Sequence, residues 1–290
     1  MKVIAAYPIV IAFIVIAFIA GAALSPRGGS TQEGAKKPLK IARFAAGGAP
    51  AHGLVEGDRV RQIEGDIFGA WKPGEKTHAL KDVKILVPVT PSKVLALAGN
   101  YRSHLDNTPP PANPELFFKV PSCLIAPGES ILIPPGTSDV HFEAELVIVI
   151  GKRAKSVTKE KALEHVLGVT CGNDVSARDW QKNDRQWWRA KGSDTFGPCG
   201  PYIVSGINYD DLAVELRQNG QVKQKERTSQ LIHGVAAIVS WASRHVTLEP
   251  GDLIYTGTPG QTSALKPGDT VEVEIEGVGV LKNGVAAAKE

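Results

Sequence analysis

Glu143 and Glu145 stand two residues apart in HFEAELVIVIG, residues 141–151, at the head of an unbroken apolar run. In a strand, successive side chains point to opposite faces, so His141, Glu143, Glu145, Val147 and Val149 would share one face. After Glu145 both faces are apolar, which predicts a strand covered on both sides. The contrast is VEVEIEGVGVL, residues 271–281, where Glu272, Glu274 and Glu276 alternate strictly with Val271, Val273 and Ile275. That is the pattern of a half-solvated antiparallel strand. Two carboxylates about 7 Å apart repel by roughly 2 kcal/mol at an effective dielectric near 20. A hard divalent cation, which takes carboxylate oxygens, would remove that penalty. On this motif alone, a strand end emerging into water explains the pair equally well.

The elements that must position these residues are mostly strands. The chain has 290 residues, 43% hydrophobic and 22% charged, enough for one large domain or a large and a small one. A net charge of +3 without a Lys/Arg run gives no case for nucleic acid. Cys123, Cys171 and Cys199 form no C-x-x-C pair, so neither a zinc site nor a disulfide framework is indicated. Residues 1–24 read as a signal peptide or an N-terminal membrane anchor, since no charge interrupts Val3 to Leu24 and Ala20-Gly21-Ala22-Ala23 resembles a cleavage site. Export or anchoring through residues 3–24 is the expected localisation, the side of the membrane left open. Residues 25–40, rich in Gly, Ser and Lys, read as a linker. Residues 41–89 carry Gly-Gly and Glu-Gly-Asp turn signals and read as a small β-rich domain. Residues 90–286 alternate short β-like runs with few helices: one near Lys159 to Leu167, and the clearest in SQLIHGVAAIVSWASR, where Leu231, Val235, Ile238, Val239 and Ala242 form an apolar stripe. Asn219-Gly220 marks a hairpin turn.

The order of GNYRSH, FFKVPS, HFEAELVIVIG, GVTCGNDVSARDWQ, QWWRAKGSDTFGPCGP and LEPGDLIYTGTPG resembles the fumarylacetoacetate hydrolase family over about Lys93 to Asn283. The resemblance implies an α+β fold, a mixed β-sheet roll with few helices and a small β-rich N-terminal domain, usually paired into a homodimer. It implies Mg2+ or Mn2+, with Ca2+ a third choice, held by Glu143, Glu145 and Asp174. It further implies a small oxo-acid substrate, bound by Arg178, Gln181, Lys119 and Thr258, with Lys191 and His104 as catalytic residues. Read from the residues alone, Arg178-Asp179 is a surface pair, Lys119 beside two phenylalanines a snorkelling lysine, Thr258 an ordinary turn residue and Asp174 part of an Asx turn.

Three positions depart from the family pattern. A glutamate three residues after the histidine, present in some members, is Asn107 here, with Asp106 adjacent; the usual acidic residue before the first metal glutamate is His141; a usually small residue is Gln261. The expected activity is hydrolysis of a carbon–carbon bond in a 2,4-dioxo acid through a metal-stabilised enolate. The alternatives are a decarboxylase or isomerase of an oxo-diacid and, from another class, a membrane-tethered binding protein without turnover.

Overall fold

The computed structural model describes residues 38–289. The apolar segment 3–24, on which the expectation of export or anchoring rests, lies outside the described residues. Among the described residues no helix is long and apolar enough to cross a membrane.

The turn-rich lead-in folds as five strands, β1 (Leu39–Ala45), β2 (Ala51–Glu56), β3 (Arg59–Gly65), β4 (Trp71–Ala79) and β5 (Lys84–Ile85). The body follows with β6 (Val94–Ala98), β7 (Glu115–Lys119), β8 (Leu124–Ile125), β9 (Ser130–Ile133), β10 (Val140–His141), β11 (Ala144–Ile150), β12 (Val166–Asn173) and β13 (Ser176–Ala177). Two short helices, α1 (Arg178–Asn183) and α2 (Trp188–Gly192), precede β14 (Gly197–Ser205), β15 (Ala213–Gln218) and β16 (Gln221–Arg227). Helix α3 (Val235–His245), β17 (Leu253–Tyr255), β18 (Thr270–Ile275) and β19 (Gly279–Ala287) complete the order. The result is the strand-rich α+β roll expected.

The largest sheet runs β4-β3-β2-β1-β14-β12-β11-β17-β6-β7. The lead-in strands enter it through β1, which pairs antiparallel with β14. Strand β11 lies in its middle between β12 and β17, and all seven of its residues are buried, which is why its sequence is apolar on both faces. A second sheet, β16-β15-β18-β19-β9, packs on the first through the core cluster that joins Leu146, Ile148 and Val169 to Leu216, Val273 and Leu281. In β18 the valines and Ile275 are buried, whereas the glutamates keep contact with solvent.

Three local expectations need correction. The glutamates do not share one continuous strand with His141, because the chain leaves the ladder at Phe142-Glu143 between β10 and β11; the Glu143 N–H donates to the Asn173 side chain at 2.8 Å instead. The helix near 159–167 is a 3-10 segment, Lys159–His165, after which the chain is already in β12. Helix α3 starts only at Val235, after Gly234; Leu231 lies before it and pairs with Tyr101 in an isolated bridge. Its remaining stripe, Val235, Ile238, Val239 and Ala242, is buried. The hairpin falls where Asn219-Gly220 places it, both residues at positive φ as a two-residue turn requires.

Candidate active site

The opening of β11 and the close of β12 meet side by side, with Ala144 opposite Asn173 and Glu145 opposite Gly172. The Asp174 N–H donates to the Glu143 carbonyl at 2.9 Å, so Asp174, just past β12, is tied to the glutamate just before β11. These bonds gather three carboxylates. Glu143, Glu145 and Asp174 are buried, and each offers an oxygen lying within 4.8 Å of those of the other two.

Three cations surround them. The Lys191 ammonium donates to Glu143 Oε2 at 2.6 Å and to Asp174 Oδ2 at 2.8 Å. Burial alone would pull this lysine down, but Asp174 and Glu143 outweigh it and hold the ammonium above its ordinary value. Burial pushes Glu143 up, yet Lys191 and Arg178 bring it to about 2. Arg178 donates from Nη2 to Glu143 Oε1 at 2.6 Å and to Thr262 Oγ1 at 2.9 Å, and from Nη1 to Gln181 Oε1 at 2.7 Å. Three of its five donors are then engaged. The hydroxyl of Thr262 lies 2.8 Å from His141 Nδ1, and His141 Nε2 lies 2.8 Å from Asp139 Oδ1. The histidine standing at the unusual position thus belongs to a chain of bonds that ends on Arg178.

Lys119 takes a different place from the substrate contact expected of it. On β7, Phe117 and Lys119 share one face while Phe118 turns outward. The Lys119 side chain is wholly buried, donating to Asp174 Oδ1 at 2.6 Å, to the Lys191 carbonyl, and to the Phe196 carbonyl at 3.1 Å. All three ammonium hydrogens are thereby occupied. Lys119 holds Asp174 and the α2 backbone rather than reaching a ligand.

Glu145 is the exception among the carboxylates. Its Oε2 accepts the Gly257 N–H at 2.6 Å, whereas its buried Oε1 has no partner among the described residues. Gly257 sits at φ +97, with Asn100 Cβ 2.8 Å from where a Cβ would be, so only glycine brings this N–H so close. Burial first, then the charges of Asp174 and Glu143, raise the Glu145 carboxyl well above its ordinary value.

His104 closes a 3-10 turn, Arg102–His104, that docks on the turn after β17. Its Nδ1 lies 2.6 Å from the Gly260 carbonyl, and the Gly260 N–H donates to Ser103 Oγ at 3.0 Å. A carbonyl only accepts, so Nδ1 carries a proton and Nε2 is the ring nitrogen not engaged by this bond. Asp106 does not pair with His104: its carboxylate accepts from Gln261 Nε2 at 2.9 Å. Gln261, one of the three departures from the family pattern, is therefore paired with Asp106, the neighbour of another.

A cavity of about 230 Å3 opens onto this cluster. It is lined by His104, Glu143, Arg178, Gln181, Lys191 and Thr258, with Leu97, Leu105, Phe117 and Trp187 as apolar wall. Of the residues expected to act, the structure brings His104, Glu143, Arg178, Gln181, Lys191 and Thr258 to the cavity, and Glu145, Asp174 and Lys119 to the carboxylate cluster it opens onto. Sequence reasoning missed Gln224, which is buried in the otherwise polar β16. Its Oε1 accepts the Ala144 N–H at 3.0 Å and its Nε2 donates to Thr258 Oγ1 at 2.9 Å, joining the start of β11 to the TGTPG turn. A lone buried amide in a polar hairpin strand leaves no local signal. Thr262 and the Gly260 carbonyl were missed for the same reason.

Residues 93–286 match the family model described as fumarylacetoacetate (FAA) hydrolase C-terminal, and residues 39–88 match the one described as Rv2993c-like, N-terminal. The chain belongs to the fumarylacetoacetate hydrolase family. It is 43% identical to protein Rv2993c of Mycobacterium tuberculosis, over 85% of this chain and 98% of that protein. The mitochondrial oxaloacetate tautomerase fahd2 of Xenopus laevis is 40% identical over 70% of this chain and 69% of its own. Among solved structures, the 2-hydroxyhepta-2,4-diene-1,7-dioate isomerase of Mycobacterium marinum superposes with a TM-score of 0.82 at 42% identity, covering 87% of this chain and all of its own. The family is one of enzymes, and its members bear isomerase, tautomerase and hydrolase names.

The three-carboxylate cluster suits a hard cation. Its donors are oxygens only, which excludes a soft-metal site, and Glu145 Oε1, without a partner among the described residues, is a buried acceptor that a bound cation would satisfy.

Proposed function

We propose that this chain is a divalent-metal-dependent isomerase of small 2-oxo acids, moving a proton off and onto carbon through the enol form. Glu143, Glu145 and Asp174 would hold Mg2+ or Mn2+. When bound, such an ion supplies positive charge beside the oxo oxygen as electron density moves there.

The observation that carries the reading is the setting of His104. Fixed through Nδ1 by the Gly260 carbonyl at 2.6 Å, it keeps Nε2 clear of that bond and hydrogen-bonds no carboxylate among the described residues. An imidazole is a base of neutral range, matched to a carbon acid beside an oxo group, which is far more acidic than water. The C–H bond breaks as Nε2–H forms, Nε2 exchanges its proton with solvent while the enol is held, and a proton from Nε2 is returned to carbon. The two free donors of Arg178, with Gln181 beside it, orient the substrate carboxylate. The Thr258 hydroxyl accepts from Gln224, which leaves its own hydrogen to donate into the cavity. The Lys191 ammonium adds fixed positive charge where the enolate oxygen develops. Leu105, Phe117 and Trp187 keep water from the enol. The isomerase and tautomerase names of relatives near 40% identity agree with this reading. Carbon–carbon hydrolysis, the first expectation, needs a water activated by the same histidine, and the neighbouring carboxylate that could assist, Asp106, is held by Gln261.

The test is solvent deuterium incorporation at C3 of 2-oxo acids, read by proton NMR with Mn2+ or Mg2+ present. Exchange should be ion-dependent and should fall about a hundredfold or more in His104→Ala, with ion binding by calorimetry unchanged. Cleavage of an acylpyruvate without any C3 exchange would overturn the isomerase reading in favour of hydrolysis.

A further inference from the structure

Arginine and a carboxylate commonly join by two parallel bonds, but Arg178 gives Glu143 only one, from Nη2 to Oε1 at 2.6 Å. The second Nη2 hydrogen goes to Thr262 Oγ1 at 2.9 Å, and Glu143 Oε2 is taken by Lys191 at 2.6 Å. With Gln181 Oε1 on Nη1, acceptors on Glu143, Thr262 and Gln181 together fix the plane of the guanidinium. The part of Thr262 depends on how its hydroxyl is turned, since a hydroxyl both donates and accepts.

His141 sets that turn. The backbone holds the partners together: His141 pairs with Ser176 across β10 and β13 and bridges to Ala264, and the Arg178 N–H donates to the Asp139 carbonyl at 2.8 Å. The Asp139 carboxylate, 2.8 Å from His141 Nε2, only accepts, so in the neutral ring Nε2 carries the hydrogen and Nδ1 is an acceptor. Nδ1 then takes the Thr262 hydroxyl hydrogen at 2.8 Å, which leaves the oxygen lone pairs to Arg178. Each bond from Arg178 through Thr262 and His141 to Asp139 donates in the same direction. Neither His141 nor Thr262 lines the catalytic cavity, so any effect of the two on a ligand passes through Arg178.

We propose that His141 and Thr262 are positioning residues that aim the free donors of Arg178 at the carboxylate of the substrate. The inference rests on the oxo-acid reading above and deepens it. Without the Thr262 acceptor the guanidinium is free to turn toward Glu143 as a fork, and the donors that face the cavity turn with it.

The experiment measures C3 deuterium exchange of 2-oxobutanoate and, by calorimetry on the Mn2+-loaded protein, binding of oxamate, which carries the carboxylate but cannot enolise. Thr262→Val, which keeps the shape and loses the hydroxyl, and His141→Ala should each raise KM and the oxamate Kd by about tenfold, the scale of one charge-assisted hydrogen bond. The loss should fall on KM more than on kcat, the mark of uniform binding. The double variant should be no worse than either single one, because both break the same chain of bonds. Thr262→Ser restores the hydroxyl, and His141→Asn places Oδ1 where Nδ1 stood; both should bring KM and the oxamate Kd back toward wild type. Additive losses, no rescue by Ser and Asn, KM indifferent to all the variants, or a wild type that binds no oxamate would overturn the positioning role. The first three, with exchange intact in wild type, leave the isomerase reading standing. Oxamate binding that follows the predicted pattern, without exchange on any 2-oxo acid, would uphold the positioning role and remove the isomerase reading.

Discussion

Glu145→Gln separates the cost of the acidic cluster from its use. With the three ligand oxygens no more than 4.8 Å apart, each ionised like-charge pair costs at least about 3 kcal/mol at an effective dielectric near 20. Glu143 and Asp174 have cations against them; Glu145 does not, and its Oε1 is unpartnered. Its raised carboxyl takes up a proton on folding in the absence of an ion. By linkage, the stability this adds is fully present below the unfolded value near 4.5 and is lost as pH rises through the higher folded value. Glutamine keeps the shape, still accepts the Gly257 N–H, and puts a donor in place of the orphaned acceptor. Ion-free Glu145→Gln should therefore be more stable than wild type by about 1–3 kcal/mol at neutral pH, a rise of roughly 2–4 °C in Tm per kcal/mol. Its stability should also lose the downward slope of wild type above pH 4.5. In Mn2+ at a thousand times Kd the order reverses, because wild type gains about 4.1 kcal/mol and the variant gains little. Differential scanning calorimetry with EDTA and with Mn2+ reads both arms. A variant less stable than wild type in EDTA, or one with an undiminished Mn2+ shift, would refute the reasoning.

Lys119→Met should destabilise the ion-free protein by about 1–3 kcal/mol in urea titrations, because Asp174 keeps Lys191 while its Oδ1 and the Lys191 and Phe196 carbonyls lose their donor; an unchanged stability would return Lys119 to a peripheral role. Gly172→Ala places a Cβ 2.3 Å from Val147 Cγ2 and 2.5 Å from Tyr255 Cε1, so Tm should fall by several degrees, from about 1–3 kcal/mol of overpacking. Mn2+ affinity should weaken with it, since Gly172 faces Glu145 in the ladder; an unchanged Tm would show that β11 and β12 yield freely. Ion and 2-oxo acid should tighten each other's binding by the same factor, about 5–150-fold, and calorimetric titrations in either order that show no coupling would place the two in separate sites.

What could be read from the sequence is what repeats with a short period. The buried strand after Glu145, the half-solvated glutamates of β18 and the Asn219-Gly220 hairpin all follow from alternation or from one turn's backbone demand. The carboxylate pair was visible as an anomaly in such a pattern, but Asp174 and Lys191 were reached only through family resemblance, because their partners lie far along the chain. Lys119 shows the limit plainly. Next to two phenylalanines it reads as a lysine lying along a surface, and nothing local announces an acceptor 55 residues away. The same holds for His104, whose fixing group is a backbone carbonyl separated by 156 residues. Element starts failed where a single bond outcompeted periodicity, as when the Asn173 side chain took the Glu143 N–H and ended the strand early.

On the proposed reading, the charges around the cluster bear on which form of a substrate it would favour. With Glu143, Glu145 and Asp174 ionised, Lys119, Lys191 and Arg178 already balance them, so a divalent ion leaves the buried site two charges positive. A 2-oxo acid in its keto form brings one negative charge there through its near carboxylate. Its enolate brings two. Burying an uncompensated charge is costly, so on the proposed reading the environment would be complementary to the enolate rather than to the substrate as it arrives, and the difference in binding would appear as a lowered barrier. Removing Lys119 from this balance would make the site better matched to the keto acid and worse matched to the enolate. On the proposed reading the wholly buried lysine would contribute to rate through electrostatics as well as to the fold.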